Sequence, residues 1–129
     1  MVSSLVLHIP HASPKIPLDL RDTFLFSYQA LQAELNRITD HATDLIFQQA
    51  FPAAPAAVFP ISRLVVNPER FCDDSKEPMS RVGMGVIYTR GTLRQKPREA
   101  LSPSVLQELL DQFYHPHHRK LEEIVDQAL

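Results

Sequence analysis

The fold is decided by a short stretch near the start of the chain, Leu5-Val6-Leu7-His8-Ile9-Pro10-His11. Its apolar run predicts a buried strand, which ends at Pro10 because proline cannot donate to a strand ladder. Two more prolines restrict the loop that follows, residues 11–17. Ligand sites in α/β sheets lie at the carboxyl ends of strands, so His11 is well placed to belong to a site.

A helical pattern covers residues 28–50, and Phe51-Pro52 ends it. If the helix is unbroken, Asp40 and Asp44 lie one turn apart on the face opposite the apolar stripe. If it breaks at Thr39 or Asp40, either residue caps a second helix and the facing changes. We favour the break. The mostly apolar stripe follows i, i+3, i+4 spacing and consists of Leu31, Leu35, Ile38, Ala42, Leu45, Ile46 and Gln49.

Working outward from these segments, the sequence predicts three more strands and a last helix. The strand candidates are residues 57–59, 61–66 and 85–89, with a long polar loop over residues 69–83. Ser102 followed by Pro103 predicts the start of the last helix. Pro116 interrupts the apolar pattern of that helix and indicates that it is bent or broken there. Together these elements predict an α/β fold, a small mixed or parallel sheet flanked by helices, in a single domain over residues 1–129.

Composition restricts the partners and the compartment. The chain has 129 residues and a net charge of -2, which argues against a nucleic-acid or anionic-membrane partner. Its single cysteine, Cys72, excludes an internal disulfide and suits a reducing compartment. The sequence shows no signal peptide, and no apolar run approaches the ~20 residues that a membrane-spanning helix needs. We therefore expect a cytoplasmic protein.

Five of the six histidines fall into two clusters, His8-Ile9-Pro10-His11 and His115-Pro116-His117-His118. Between the clusters lie Asp40, Asp44 and an arginine-rich segment over residues 63–90. Imidazole and carboxylate groups are ligands that suit zinc, and arginines suit an anionic substrate. If folding brings these segments together, the chain has the parts of a metal hydrolase that acts on a small acidic molecule.

Each of these residues also has a purely structural interpretation. His117 lies on the apolar stripe of the last helix, which favours a packed histidine, and His8 lies inside the strand, which favours a buried, hydrogen-bonded one. The two aspartates fit exposed helix charges, and the arginines fit surface ion pairs. His11 and His118 are therefore the histidines that best suit a polar site.

Five segments, in this order along the chain, resemble the N-formylglutamate amidohydrolase family. They span nearly the whole chain, and their order makes the resemblance specific. The segments are His-Ile-Pro-His-Ala-Ser at 8–13, Thr-Asp at 39–40 with Thr-Asp-Leu at 43–45, Ser-Arg-Leu-Val-Val-Asn-Pro-Glu-Arg-Phe at 62–71, Gly-Met-Gly-Val-Ile-Tyr-Thr-Arg at 83–90, and Tyr-His-Pro-His-His at 114–118.

This resemblance implies hydrolysis of N-formyl-L-glutamate to glutamate and formate, a late step of histidine breakdown, on part of a zinc-carboxypeptidase-like hydrolase fold. It implies a metal, zinc or another divalent ion, that polarises the formyl carbonyl and lowers the pKa of a bound water towards ~7. Which of Asp40 and Asp44 is a ligand is left open by the pattern. The implied site consists of His11, Asp44 and His118 as metal ligands, Asp40 and Asn67 in catalysis with Asp40 orienting a ligand, and Arg63, Arg70 and Arg90 on the carboxylates of the dianionic substrate.

Two departures from the family pattern support an alternative function. Asn67 stands where the family usually has Asp, which keeps the shape and loses the charge. The family's chains are also longer and continue into a segment of the type Asp-x-His-Ser, so we expect an N-terminal half, a short relative or a trimmed chain. The alternative is a catalytically inactive relative that binds a small carboxylate or assembles with a partner. An incomplete sheet exposes an edge, which predicts a homo-oligomer that covers it.

Overall fold

The computed structural model describes residues 4–129 and has a mixed α/β fold. Two strands and four α-helices alternate with turns of 3-10 helix at Leu18–Thr23, Asp74–Lys76 and Pro78–Val82. The predicted polar loop over residues 69–83 therefore contains two of these short turns. The strands are β1 (Leu7–Ile9) and β2 (Ala56–Val58), and the helices are α1 (Tyr28–Ile38), α2 (Thr43–Ala50), α3 (Pro103–Leu109) and α4 (His115–Ala128).

The sheet is small and parallel, as the sequence predicts. In the described part of the chain it consists of β1 and β2, with Leu7 opposite Ala56 and Ile9 opposite Val58. The backbone N–H of Phe59 donates to the carbonyl of Ile9 over 2.9 Å, which continues the pairing for one residue beyond β2. The segment with α1 and α2 forms the crossover that parallel strands require. His11 thus lies just beyond the carboxyl end of β1.

The predicted break in the helix over residues 28–50 is confirmed. Helix α1 begins at an N-cap, Ser27, whose side chain accepts from the backbone of Ala30, and it ends at Ile38. The Thr39 hydroxyl then donates to the carbonyl of Leu35 over 2.5 Å. The prediction that Thr39 or Asp40 caps the second helix is wrong, because the N-cap of α2 is Ala42, in a left-handed conformation with φ 63° and no side-chain cap.

Two predicted strands, residues 61–66 and 85–89, are not strands. Both segments are buried in large part, so their apolar composition reflects their place in the core and not pairing in a sheet. The carbonyls of Leu64 and Val65 accept from the Arg98 guanidinium over 3.1 and 2.8 Å, which replaces the bonds of a neighbouring strand. Residues 85–89 belong to a tight turn, where Thr89 donates to the carbonyl of Gly83 over 2.8 Å. Gly83 has φ 78°, a conformation that glycine adopts without strain.

The C-terminal helical region starts where the sequence predicts. The side chain of Ser102 caps α3 by accepting from the backbone of Val105, and Pro103 follows as the first helical residue. Of the predicted bend or break at Pro116, the break is wrong, because the chain remains helical from α3 to α4 through a π-helical segment, Leu110–Tyr114. A π turn rearranges the backbone hydrogen bonds next to a residue that has no N–H, so the proline is accommodated.

The main hydrophobic core lies between α1, the segment after β2 and the start of the C-terminal helices. It contains Leu31, Leu35 and Ile38 from one face of α1, together with Tyr88 from the tight turn. A smaller cluster covers the strands with Leu7, Ile9 and Ala12. The residues that follow β1 and those over 62–70 meet between these clusters. Within residues 4–129 no helix is both long and apolar enough to cross a membrane.

Candidate active site

His11 is the centre of the polar cluster at the carboxyl end of β1. Its side chain is only 5% exposed, and its backbone carbonyl accepts from the N–H of Asp40 over 2.8 Å, which fixes the loop. One ring nitrogen, Nε2, lies 2.8 Å from Oδ1 of Asn67. The other, Nδ1, lies 3.1 Å from Nη1 of Arg63. Both nitrogens of a buried imidazole are therefore engaged by side chains that are distant in the sequence.

The partners of His11 determine its tautomer. A guanidinium can only donate, so Nδ1 must accept from Arg63 and carry no proton. The backbone N–H of Glu69 donates to Oδ1 of Asn67 over 3.0 Å, which identifies that atom as the amide oxygen. Nε2 of His11 must then donate to it. The partners of both ring nitrogens therefore fit a neutral ring with its proton on Nε2. Burial, the largest influence on the pKa of His11, lowers that pKa and so also favours the neutral form.

Asn67 connects His11 to the core. It is fully buried, at 0% exposed, and its Nδ2 donates to the hydroxyl of Tyr88 over 3.0 Å. Tyr88 is 1% exposed, and burial raises the pKa of its phenol, so the hydroxyl stays protonated. The chain His11–Asn67–Tyr88 is a buried hydrogen-bond network that links the three side chains and favours one arrangement of them. Because Asn67 has no exposed surface, it acts on any substrate only through His11.

Two carboxylates flank the ring of His11 on its exposed side. Oδ2 of Asp40 lies 3.8 Å from Nδ1, and Oε2 of Glu69 lies 3.9 Å from Nε2. Both acids are substantially exposed, 57% and 45% of their side chains, so they are open to water and small solutes. The break between α1 and α2 is what brings Asp40 here, since it lies in the connection and not on a helix face. Each of these accessible carboxylates can orient a water molecule for proton transfer, next to an imidazole whose two nitrogens already have protein partners.

The second histidine cluster packs next to the first. His8 and His117 share a hydrogen bond of 2.8 Å between their Nε2 atoms. His117 is 6% exposed, as its place on the apolar stripe predicts, and burial followed by the nearby His8 lowers its pKa to about 4. Burial likewise lowers the pKa of His8, which is half-buried and hydrogen-bonded. Both rings are therefore neutral at pH 7.

His118 is held on two sides. Its Nε2 donates to the backbone carbonyl of Pro68 over 2.7 Å, and its ring centroid lies 4.5 Å from that of Tyr114. His118 and Tyr114 therefore lie on the same face of the helical region. The ring of His8 is 6.4 Å away, centroid to centroid. A histidine that donates from Nε2 to a carbonyl keeps the lone pair of Nδ1, the usual arrangement of a metal-ligating histidine.

The three predicted metal ligands do not form a ligand cluster in this arrangement. In the chain from residue 4 onward, no group of three or more His, Cys, Asp or Glu side chains is placed to hold a metal ion. His118 has a suitable nitrogen, but the Nδ1 lone pair of His11 is taken by Arg63. Asp44 lies in the first turn of α2, where its Oδ1 accepts from the backbone of Leu45 over 2.9 Å. The donor set therefore does not fit a bound metal without rearrangement.

The three predicted substrate arginines are separated by the fold. Arg63 contacts His11, as described. Arg70 is half-buried, and its Nε donates to the carbonyl of Met84 over 3.0 Å. Arg90 is exposed and donates to the carbonyl of its neighbour Thr89 over 2.8 Å. Only Arg63 is in contact with the His11 cluster through a hydrogen bond.

Sequence reasoning missed two residues of the cluster, Glu69 and Tyr88. Both were inside segments that carried the family resemblance, but neither was considered for a role. Glu69 was visible as an acid two residues from Asn67, whereas no pattern in the sequence links Tyr88 to Asn67 across 21 residues. Only the fold makes that contact.

Comparison with known proteins gives one match. The family model described as N-formylglutamate amidohydrolase matches residues 3–129, essentially the whole chain. Neither the curated proteins nor the solved structures include a significant match.

Proposed function

The chain belongs to the N-formylglutamate amidohydrolase family, and we propose that it hydrolyses the amide bond of an N-formyl or N-acyl amino acid such as N-formyl-L-glutamate. The products are formate and glutamate. The observation that carries this proposal is the family match over residues 3–129. The polar cluster at the end of β1 supports it, because it combines a buried, positioned histidine with accessible acids and an arginine. We further propose that the small parallel sheet is part of a zinc-carboxypeptidase-like fold.

In this proposal the arginines bind the carboxylates of the substrate. N-formyl-L-glutamate is a dianion, and guanidinium groups bind carboxylates through paired N–H donors. Arg63 is half-buried beside His11 and has no carboxylate partner in the described part of the chain. Arg70 and Arg90, the other two predicted contacts, make their hydrogen bonds away from this cluster, so the proposal rests on Arg63. Because Arg63 lies next to His11 and its two flanking acids, a substrate whose carboxylate binds Arg63 has its amide near those acids.

Hydrolysis adds water across the C–N bond of the amide. We assign the proton transfer to Asp40, whose carboxylate is exposed and lies 3.8 Å from His11. It takes a proton from water as the oxygen attacks the formyl carbon and returns that proton to the departing nitrogen. The carboxylate of Asp40 itself orients this water beside His11, and Asn67 positions His11 from the buried side. Glu69, on the other side of the ring, is the alternative base.

We keep zinc as a proposed cofactor, with His118, His11 and Asp44 as its predicted ligands. The open Nδ1 of His118 supports this, and the Arg63–His11 contact opposes it. Calorimetric titration of the purified chain with zinc, beside His11→Ala and His118→Ala, tests the proposal. Near-stoichiometric binding that both substitutions abolish supports it. Binding that ignores both substitutions, or no binding, removes zinc and these ligands from the proposal.

Formate release from N-formyl-L-glutamate is the direct test of the proposed function. We expect the wild type and Asp126→Asn, an exposed acid outside the cluster, to release formate. Asp40→Asn should lose at least about a hundredfold in kcat, the usual contribution of a general base. Arg63→Met should raise KM, with Arg81→Met, an exposed arginine outside the cluster, as its matched control. An enzyme in which Asp40→Asn equals the wild type and Glu69→Gln is inactive would transfer the role of base to Glu69.

The second candidate function is a non-catalytic relative that binds a small carboxylate. The observation that favours it is that both ring nitrogens of His11 already have protein partners, which leaves neither free for a metal or a water. This candidate predicts that N-formyl-L-glutamate and glutamate bind, that Arg63→Met weakens both, and that no formate appears. Calorimetry run in parallel with the formate assay separates the two functions.

We also propose that two copies of the chain associate. The exposed face of α2 and of the turn after it is apolar, and a parallel sheet is normally covered on both sides. Sedimentation velocity should detect a dimer, and Ile46→Glu should convert it to monomer; a monomeric wild type would exclude this association. The exposed residues are Leu45, Ile46, Phe47 and Phe51.

A cytoplasmic location and the absence of a nucleic-acid partner stay predictions from composition.

A further inference from the structure

A cavity beside Tyr88 contains none of the residues of the His11 cluster except Tyr88 itself. Its volume is about 190 Å³. It is formed by two segments, residues 87–90 and residues 96–101. Tyr88 belongs to both regions, because it lines the cavity while its hydroxyl accepts from Asn67.

Arg98 is the unusual residue of this cavity, because it is a buried cation without a carboxylate partner in residues 4–129. Its side chain is 6% exposed, and its bonds to the protein leave from Nη2, to the carbonyls of Leu64 and Val65. Its buried Nε has no partner. Burial lowers the pKa of Arg98 to about 10, so the group is still charged at neutral pH. The ring of Phe24, 4.9 Å from Cζ, compensates that charge only in part.

The remaining polar lining adds positive charge. Arg90 lines the cavity and donates only to the carbonyl of Thr89, so its charge is also unpaired in the described chain. Lys96 and Glu99 line it too and pair with each other over 2.8 Å. Three cations and one anion give the lining a net charge of +2. An unpaired, buried guanidinium in a cationic cavity is a site for an anion, since buried charges are normally paired.

The rest of the lining is apolar and determines the kind of anion. Ile87, Ala100, Leu101 and the ring of Tyr88 supply it. Small-molecule sites combine an apolar lining of this kind with a few polar groups that fix the orientation of the ligand. A strongly hydrated ion gains nothing from apolar walls, whereas an anion with an apolar body is complementary to both parts of the cavity.

We propose that this cavity is a binding site for a small monocarboxylate with an apolar body, held by Arg98 and Arg90. It is separate from the His11 cluster and independent of hydrolysis there. The carboxylate pairs with the guanidinium of Arg98, and the body of the ligand contacts Leu101 and Ile87. Arg90, which is exposed, closes the outer side of the site.

The test uses sodium benzoate as the probe, with benzamide as an uncharged ligand of the same shape and inorganic phosphate as an anion without an apolar body. Binding is followed by calorimetry and by the side-chain Nε–H signals of arginine in ¹⁵N NMR. We expect benzoate to bind and to shift the Arg98 signal, while benzamide and phosphate bind at least about tenfold more weakly. Equal binding of phosphate or of benzamide would overturn the proposal.

Variants locate the site. Arg98→Lys keeps the charge and loses the planar fork, and we expect benzoate affinity to fall about tenfold. Because Arg98 also bonds two buried carbonyls, this variant can fail to fold. Ala100→Phe, which fills the cavity from an exposed position, therefore provides the second test.

Arg90→Gln should weaken benzoate binding and the matched control Arg81→Gln should not. Unchanged affinity in Ala100→Phe and Arg90→Gln would overturn the proposal. Arg63→Met leaves benzoate binding unchanged, so this site and the proposed amidohydrolase activity can fail separately.

Discussion

Replacement of Asn67 by alanine tests the buried network at the centre of the candidate site. The substitution removes the amide that accepts from His11 and from the backbone of Glu69 and that donates to Tyr88. The first two partners are donors, which cannot turn away from the lost acceptor without moving the ring or the backbone. The Tyr88 hydroxyl can rotate, but it has lost its only protein partner in the described chain.

The expected loss of stability follows from the burial of these partners. A buried donor left without an acceptor costs about 1–3 kcal/mol. The N–H of Glu69 is near the surface and can bond water, so most of the cost comes from Nε2–H of His11, which is 5% exposed. With the cavity left by a fully buried side chain, we expect Asn67→Ala to lower the free energy of unfolding by about 2–4 kcal/mol. That is a large part of the ~5–15 kcal/mol typical of a domain.

Urea unfolding followed by circular dichroism measures this loss. With a dependence of about 1–3 kcal/mol per molar urea, the midpoint should fall by about 1–3 M. Tyr88→Phe removes one hydrogen bond and should cost only about 1 kcal/mol. Asn36→Ala, the matched control on the exposed face of α1, should change stability by less than about 0.5 kcal/mol. If Asn67→Ala costs no more than Tyr88→Phe, Asn67 does not hold His11 and the reasoning fails.

Three further predictions concern the fold. Burial lowers the pKa of His117 to about 4, so the unfolded chain binds more protons than the folded one at acidic pH. Stability should therefore fall by roughly 3 kcal/mol as the pH drops from 6.5 towards 4. Unfolding measured over this pH range should show a smaller drop in His117→Phe. Leu35→Ala should cost about 2–5 kcal/mol in urea unfolding because its side chain is 3% exposed, whereas Leu93→Ala, 69% exposed, should cost under about 0.5. Ser102→Ala removes the cap on the backbone of Val105 and should lower the melting temperature through a loss of about 1 kcal/mol; an unchanged melting temperature would contradict that role.

The helices were predictable because their signals are local. The break after Ile38 and the start of α3 at Ser102 depend on side chains that bond backbone within four residues. The strands β1 and β2 also overlap predicted strand segments, since both are apolar runs bounded by turn residues. The capping of α2 was not predictable, because Ala42 replaces a side-chain cap with a left-handed backbone conformation.

The two strand predictions failed for a physical reason that the sequence does not contain. A buried apolar run satisfies its backbone either in a ladder or through distant side chains, and its composition is the same in both cases. For Leu64 and Val65 the acceptors are satisfied by Arg98, more than thirty residues away. The tight turn over residues 85–89 likewise depends on backbone hydrogen bonds, such as the one from Thr89 to the carbonyl of Gly83, that form only when the whole segment is folded.

The sequence by itself determined the family, the helix that ends before Asp40 and the two short strand segments, and it predicted His11 as a site residue. Those features depend on composition, spacing and local hydrogen bonds, which are written along the chain. Only the tertiary structure decided that His11 is neutral with its proton on Nε2 and that Asn67 links His11 to Tyr88. It also decided that Arg90 and Arg98 line the same cavity. Each of these joins residues that are distant in the chain, and such contacts exist only after the core has packed.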